Sequence, residues 1–314
     1  MAETKHFQLL ILGSGPAGCT AAIYAARANL DLALIAGIDQ GGQLTKASKV
    51  DNWPGEVEAI SGSVLMEKML NQVRKFTPNV IPDSISQAEL SKKPFYLKGG
   101  NGEYTCDALI IATGASAKFL GLPSEKKYMG RGVSSCVTCD GFFYKGQDVV
   151  IVGGGNTTAE EAIALSEIAN TVTIIHRRNV MRADEYSVEK LKKKPNVKFE
   201  FNHVVDEILG DDSGVTGVRI KNVASNVTKE IKVSGVFIAI GRKPNAEIFA
   251  GQLDMDHNYI KTPRACRTET SISGVFVAGD VVFGSRKQAV VAAGSGCVAA
   301  LDAKDYLASL EMVR

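Results

Sequence analysis

One pattern constrains this chain more than any other, and it occurs twice: an apolar strand, a glycine-rich turn and a helical run follow one another without a gap. The first copy runs from the strand-like residues 7–13 through Gly13, Ser14, Gly15, Pro16, Ala17 and Gly18 into an alanine-rich stretch at 21–28. The second runs from 148–152 through Gly153, Gly154, Gly155, Asn156, Thr157 and Thr158 into a helical run at 159–169 and a strand at 171–175. In such a turn the first glycine permits the tight bend and the second lets the backbone approach a pyrophosphate. The third allows close helix packing, and the helix N-terminus offers unpaired N–H groups to the anion. The spacing alone is weak; strand and helix on either side give it weight. Thr158 stands where glycine or alanine is usual, so the second helix is expected slightly farther from its strand.

A third strand signal lies far downstream at 274–278 and closes on Gly279-Asp280, after which Lys287, Gln288 and Ala289 open another helical run. One nucleotide unit therefore lies between the two halves of another. The expected fold is α/β, with two Rossmann-like, three-layer nucleotide-binding domains. A chain of 314 residues, 45% hydrophobic and 22% charged, is long enough for both cores.

The residues that follow each second strand point to different ligands. His176, Arg177 and Arg178, with Arg182 beyond, stand where a reader of a free ribose 2'-hydroxyl would carry Asp or Glu. Arginines suit a 2'-phosphate, hence NADPH rather than NADH. In the first unit Ala36, Gly37, Ile38, Asp39, Gly41, Gly42 and Gln43 follow the strand, and Asp39 is placed to meet an adenosine ribose.

Cys136-Val137-Thr138-Cys139 is a CxxC. Zinc would need more ligands, and neither the other cysteines nor His6, His176, His203 and His257 show a second CxxC or an H-x-H spacing. No metal is expected. A disulfide closed over two residues is easily reduced and reformed, so redox work is the stronger reading. Asp140 follows directly; it suits either proton transfer in dithiol exchange or a turn before Gly141. Cys19, Cys106, Cys266 and Cys297 are scattered and read as buried thiols.

Composition excludes some partners. With 36 basic and 34 acidic residues, no single-sign field points to nucleic acid or an anionic membrane. The polar residues 1–7 and the early Gly13 leave no secretory or membrane-spanning run, so a cytoplasmic protein is expected. The lysines 192–194 read as a solvated face.

Assembled, the residues resemble the bacterial-type, low-molecular-weight thioredoxin reductases over residues 8–306. The matching pieces are GSGPAG at 13–18, GGQL at 41–44, NWPG at 52–55, ATGA at 112–115, CVTCDG at 136–141, GGGNT at 153–157, HRR at 176–178 and GVFVAGD at 274–280. The resemblance implies FAD held by residues 1–115 and 248–314, and an NADPH domain at 116–247 inserted between them. It adds Leu44, Asn52, Thr113, Gly114, Gly279, Asp280, Lys287, Gln288 and Ala289 to the FAD site, and Ile240, Gly241 and Arg242 to the NADPH site. The family commonly has Arg where this chain has Lys287, which keeps the charge but loses the planar fork.

It further implies that Asp140 is an acid–base catalyst, that Cys139 lies nearer the flavin, that thioredoxin is the substrate and that the enzyme is a homodimer. Arg131 and Tyr128 fall in a plausible docking region. Related flavoproteins that act on ferredoxin lack the CxxC.

The dinucleotide lies beyond the carboxyl ends of the strands, whereas Cys139 precedes the strand beginning at Asp148 and is expected near its amino end. About five residues of strand separate those ends by about 17 Å. If dithiol and nicotinamide both reach one flavin, the inserted domain is expected to rotate about hinges at 116–120 and 242–246.

Overall fold

Strand β1 (Lys5–Leu12) is apolar on both faces because it is covered on both: Leu9 and Ile11 pack into one layer, Leu10 and Leu12 into the other. The computed structural model describes residues 4–47, 49–77, 79–263 and 267–312. The chain forms two units, 1–116 with 243–314, and 117–242.

In the first unit β1, β2 (Leu32–Ile35), β3 (Val80–Ile81), β4 (Ile85–Glu89), β5 (Phe95–Gly99) and β6 (Glu103–Ile111) order as β3-β2-β1-β6-β5-β4. β1, β2, β3 and β6 are parallel; β5 runs antiparallel to β6, and β4 antiparallel to β5. Helices α1 (Pro16–Arg27) and α2 (Gly62–Phe76) cover one face through Ala21, Ala22, Ala25, Leu70 and Val73.

The chain leaves through β7 (Ala115–Ala117). The second unit contains α3 (Pro123–Tyr128), β8 (Val133–Ser134), α4 (Val137–Asp140), β9 (Asp148–Val152), α5 (Asn156–Ser166), β10 (Thr171–His176), α6 (Glu185–Lys192) and β11 (Val197–Phe201). Then come β12 (His203–Asp211), β13 (Gly214–Asn222), β14 (Thr228–Lys232) and β15 (Gly235–Ile238). Its parallel sheet has the order β11-β10-β9-β15-β8.

Val149 and Ile151 of β9 face the helical layer with Ala159, Ala162 and Leu165. Val150 and Val152 face Val205, Ile208, Val218 and Ile220 of the antiparallel sheet β12-β13-β14. The three layers are present, but the third is a sheet rather than helices, because alternating apolar residues from 205 to 220 supply a flat inner face.

The chain returns through β16 (Arg242–Pro244) and adds β17 (Met255–Asp256), β18 (Tyr259–Ile260), β19 (Val275–Val277) and α7 (Ala289–Glu311). β6 is shared along one edge: residues 103–106 pair with β5, and residues 109–111 pair in parallel with β19. α7 joins α1 in the helical layer through Ala299, Ala300 and Ala303.

Cys19 and Cys106 are buried and Cys297 is partly so, while Cys266 lies outside the described residues. Burial pushes the Cys19 thiol up to about 12 and the Cys106 thiol higher as well. Lys192 and Lys194 pair with Glu189 and Glu167 at the surface. Among the described residues no helix is long and apolar enough to cross a membrane.

Candidate active site

The helix starts differ in how they are capped; α3 begins with Pro123 after Leu122, which gives no side-chain cap. α2 is capped by Ser61, whose hydroxyl accepts the Val64 N–H at 3.3 Å, and α6 by Asp184, whose carboxylate accepts the Ser187 N–H at 2.8 Å. α1, α5 and α7 begin after Gly15, Gly155 and Gln288 with no side-chain cap. Their first N–H groups are left for another acceptor. These three starts fall at sequence-predicted nucleotide positions.

In the first unit Gly13 has φ +103°, and a Cβ there would lie 2.4 Å from the Ala112 carbonyl oxygen. A Cβ on Gly18 would meet the Gly13 oxygen at 1.7 Å, whereas one on Gly15 would meet nothing within 4 Å. The turn is tight where it packs and open above Gly15, as a bound pyrophosphate requires. The Ser14 hydroxyl donates to the Ala36 carbonyl at 2.6 Å and accepts the Gly41 N–H at 2.9 Å, fastening the turn to the segment after β2. Gly37, Ile38 and Asp39 lie in that segment, with Ile38 and Asp39 exposed, and Gln43 and Leu44 lie in the turn Gly42–Lys46.

The downstream residues converge on the same end of this sheet. A Cβ on Gly279 would touch Ala17 at 3.0 Å, and the Gly279 N–H donates to the Ser295 hydroxyl. Asn52 reaches Gln288 at 3.5 Å. Lys287 donates to the carbonyls of Asp280 (2.7 Å) and Val282 (3.2 Å) and lies over the Tyr259 ring, bracing the turn just before Ala289. Thr113 and Gly114 are held by Asn245, which sequence reading passed over. Asn245 donates its backbone N–H to Gly114 and its side-chain amide to Thr113, and its carbonyl accepts the Thr113 hydroxyl. No local pattern marks such a residue, because its partners lie more than a hundred positions away. The residues present fit FAD.

The second unit repeats the scheme. A Cβ on Gly153 would lie 2.5 Å from the Ala239 oxygen, one on Gly154 would strike the His176 ring at 2.3 Å, and Gly155 is open. Thr158 is buried, and its hydroxyl donates to the Ala239 carbonyl at 2.9 Å. Asn156 accepts the Asp184 N–H; Thr157 is exposed beside it. Arg177, Arg178 and Arg182 are exposed beyond β10, and the Arg182 N–H donates to Gly154. His176 is buried with Nε2 unpartnered; burial first, then the three arginines, hold its pKa down. Ile240 and Gly241 (φ +99°) follow β15, and the arginines and the open turn fit a phosphorylated dinucleotide.

Cys136 and Cys139 form a disulfide. Cys136 caps the short helix α4, its sulfur accepting the Cys139 N–H at 3.2 Å. The Cys136 N–H donates to the Ser134 hydroxyl at 3.0 Å, and Arg242 donates to the Ser135 carbonyl at 3.3 Å. Burial pushes the Asp140 carboxyl up, opposed by a hydrogen bond from Ser134. Burial likewise pushes Glu161 up to about 7, opposed by Arg242.

Cys136 follows β8, whose Ser134 lies opposite Phe237 of β15, two strands from β9, whereas Gly141, two residues after Cys139, packs against Leu165 and Ile168 at the end of α5, toward the amino ends of the strands. One expectation needs correction. Tyr128 is buried against Gly210 and the inner sheet core, so it is not a docking residue. Arg131 is exposed and donates to the Lys127 carbonyl.

The sequence pattern of the family described as pyridine nucleotide-disulphide oxidoreductase matches residues 7–296. The chain is 53% identical to a thioredoxin reductase of Coxiella burnetii, over 99% of both chains. It is 49% identical to a glucosaminate ammonia-lyase of Pseudomonas fluorescens, again over 99% of both. The solved thioredoxin reductase of Giardia duodenalis is similar with a TM-score of 0.93 and 39% identity, covering 97% of this chain and 100% of that one.

Proposed function

The chain belongs to the pyridine nucleotide-disulphide oxidoreductase family, and on that premise we propose that it is an NADPH-dependent thioredoxin-disulfide reductase that uses FAD. The observation that carries the reading is the Cys136–Cys139 disulfide, placed in the unit whose glycine turn ends beside three arginines. Removal of ammonia, the chemistry in one relative's name, calls for no such pair. Bound FAD supplies the link between two-electron hydride chemistry and thiol chemistry.

We assign FAD to the residues gathered around Gly15, Gly41 and Gly279, and NADPH to those around Gly155, with Arg177, Arg178 and Arg182 on the 2'-phosphate. In the exchange step one thiolate of the reduced pair attacks a sulfur of the thioredoxin disulfide. A mixed disulfide forms and a thioredoxin thiolate leaves. The second cysteine then attacks the mixed disulfide, releases the other thiolate and restores Cys136–Cys139. Two electrons pass to thioredoxin, and each departing thiolate takes up a proton. Asp140, buried and with a raised pKa, is suited to hold that proton and deliver it.

Stopped-flow absorbance with NADPH, then with oxidised thioredoxin, tests the whole scheme. Asp140→Asn should slow reoxidation by thioredoxin at least about tenfold while sparing flavin reduction; equal rates in both half-reactions would remove Asp140 from catalysis. A cytoplasmic homodimer belongs to the same reading, supported by the buried thiols and by exposed apolar residues such as Tyr24, Val64 and Leu301 on helices of the first unit. Rotation of the 117–242 unit between half-reactions rests on its two connections alone. A cross-link fixing one pose should abolish steady-state turnover while keeping one half-reaction.

A further inference from the structure

The resemblance places Arg242 among the NADPH contacts, yet its guanidinium also reaches the redox loop. An Nη2 N–H donates to the Ser135 carbonyl at 3.3 Å, one residue before Cys136. The other hydrogen bonds of residues 135–141 are local. The Cys136 N–H goes to the Ser134 hydroxyl, the Cys139 N–H to the Cys136 sulfur, the Asp140 N–H to the Cys136 carbonyl and the Gly141 N–H to the Val137 carbonyl. Among the described residues, Arg242 alone hydrogen-bonds this loop from a distant part of the chain. Both partners belong to the 117–242 unit. We infer that Arg242 is a positioning residue for the exchange step: it holds the redox loop at Ser135 and keeps a fixed positive charge one residue from Cys136, favouring the thiolate of the reduced pair.

The exchange step consumes a thiolate rather than a thiol, and a cation near a cysteine favours the thiolate. A guanidinium stays charged at every working pH, so Arg242 exchanges neither proton nor electron with the pair. The rest of the neighbourhood is acidic. α4 packs against the turn Gly141–Tyr144 and against α5. The titratable side chains of these three elements, besides the pair itself, are Asp140, Tyr144, Glu160, Glu161 and Glu167, and none of the three carries a lysine or arginine. Lys145, just past the turn, is exposed. Each carboxylate disfavours a negative charge on the loop, and Arg242 opposes them. Reduction adds to the demand, because it removes the covalent tie between Cys136 and Cys139. The opened loop keeps its local turn, the buried Val137 and the Arg242 hydrogen bond.

The inference rests on the reading of Cys136–Cys139 as the enzyme's redox pair. The test uses the FAD-loaded, full-length protein with its Arg242→Gln and Arg242→Lys variants; Arg242→Met, apolar and of similar reach, replaces the Gln variant if that fails to fold. In the first arm the parent is reduced with NADPH under nitrogen, trapped with iodoacetamide and read by mass spectrometry of the peptide that carries the pair. Both cysteines should be alkylated; a pair that stays closed overturns the redox reading and this inference with it. In the second arm each protein is reduced with dithiothreitol, freed of it, and alkylated without nucleotide from about pH 5.5 to 9.5. Any change in NADPH binding is thereby kept out. The two thiols titrate jointly, so the apparent midpoint of the pair is compared. Arg242→Gln should raise that midpoint by about one unit. Below the midpoint the thiolate fraction falls about tenfold, but a more basic thiolate is more nucleophilic, so alkylation should slow about threefold. Arg242→Lys keeps the charge and should return the midpoint to within about 0.3 unit of the parent. A Gln variant with the parent's midpoint, even one slowed equally at every pH, overturns the inference while leaving the redox pair in place. A Lys variant displaced as far as Gln does the same.

Discussion

The two glycine turns meet the same demand with different third residues. In the first unit a Cβ at Gly18 would lie 1.7 Å from the Gly13 oxygen, so helix and turn touch backbone to backbone. In the second, Thr158 carries a whole side chain at the equivalent position and uses it to donate to the Ala239 carbonyl at 2.9 Å. A Cβ cannot exist in the first geometry. The second turn must therefore be opened locally, consistent with φ of +154° at Gly153 against +103° at Gly13. Close packing in one turn is replaced by a hydrogen bond in the other.

That contrast can be broken most sharply at Gly18. Gly18→Ala should cost more than about 3 kcal/mol locally, since only backbone could give way. The purified protein should lose most of its flavin absorbance; full flavin content with an unchanged Tm would refute the close-packing account. Next in size, Arg177→Ala and Arg182→Ala should each raise the KM for NADPH about tenfold or more and leave that for NADH within twofold, by loss of a charge-assisted contact. Equal effects on both cofactors would remove the 2'-phosphate assignment. Thr158→Val keeps the volume but strands the Ala239 carbonyl, and should lower stability by about 1 to 2 kcal/mol in urea melts without changing flavin content.

The smallest effect is expected at Glu161. Its carboxyl releases a proton near its ordinary 4.5 in the unfolded chain and near 7 when folded, so the folded state holds the extra proton between those values. Stability therefore falls as pH rises through that window. Glu161→Gln should gain on the parent across it and hold a constant advantage above pH 7, by at most about 1 kcal/mol because the side chain is partly exposed. A difference that does not vary with pH would contradict the burial argument.

The features legible in the sequence are those fixed by covalent geometry. Glycine at 13, 15 and 153, and two cysteines three apart, each constrain the backbone wherever they occur, and order along the chain then supplied the nesting. The elements that escaped are held by partners distant in sequence. β8 is two residues long and becomes a strand only because Phe237 lies beside it. Asn245 clasps 113–116 from across the whole inserted unit. The Lys287 departure also reads differently once seen. An ammonium pointed at two backbone carbonyls needs no planar fork, so lysine suffices there.

The shared edge of β6 sets an order of events during synthesis. Residues 103–106 find β5 at once, but residues 109–111 wait for β19, which leaves the ribosome more than 160 residues later. Throughout that interval the whole second unit can fold while the first keeps an open apolar edge, the kind of surface that recruits another chain's strand. Ribosome stalling or truncation between 245 and 274 should therefore yield a folded inner unit in an aggregation-prone chain, and release beyond α7 should close the edge. The nesting that lets one domain interrupt another leaves the outer domain the last to be finished.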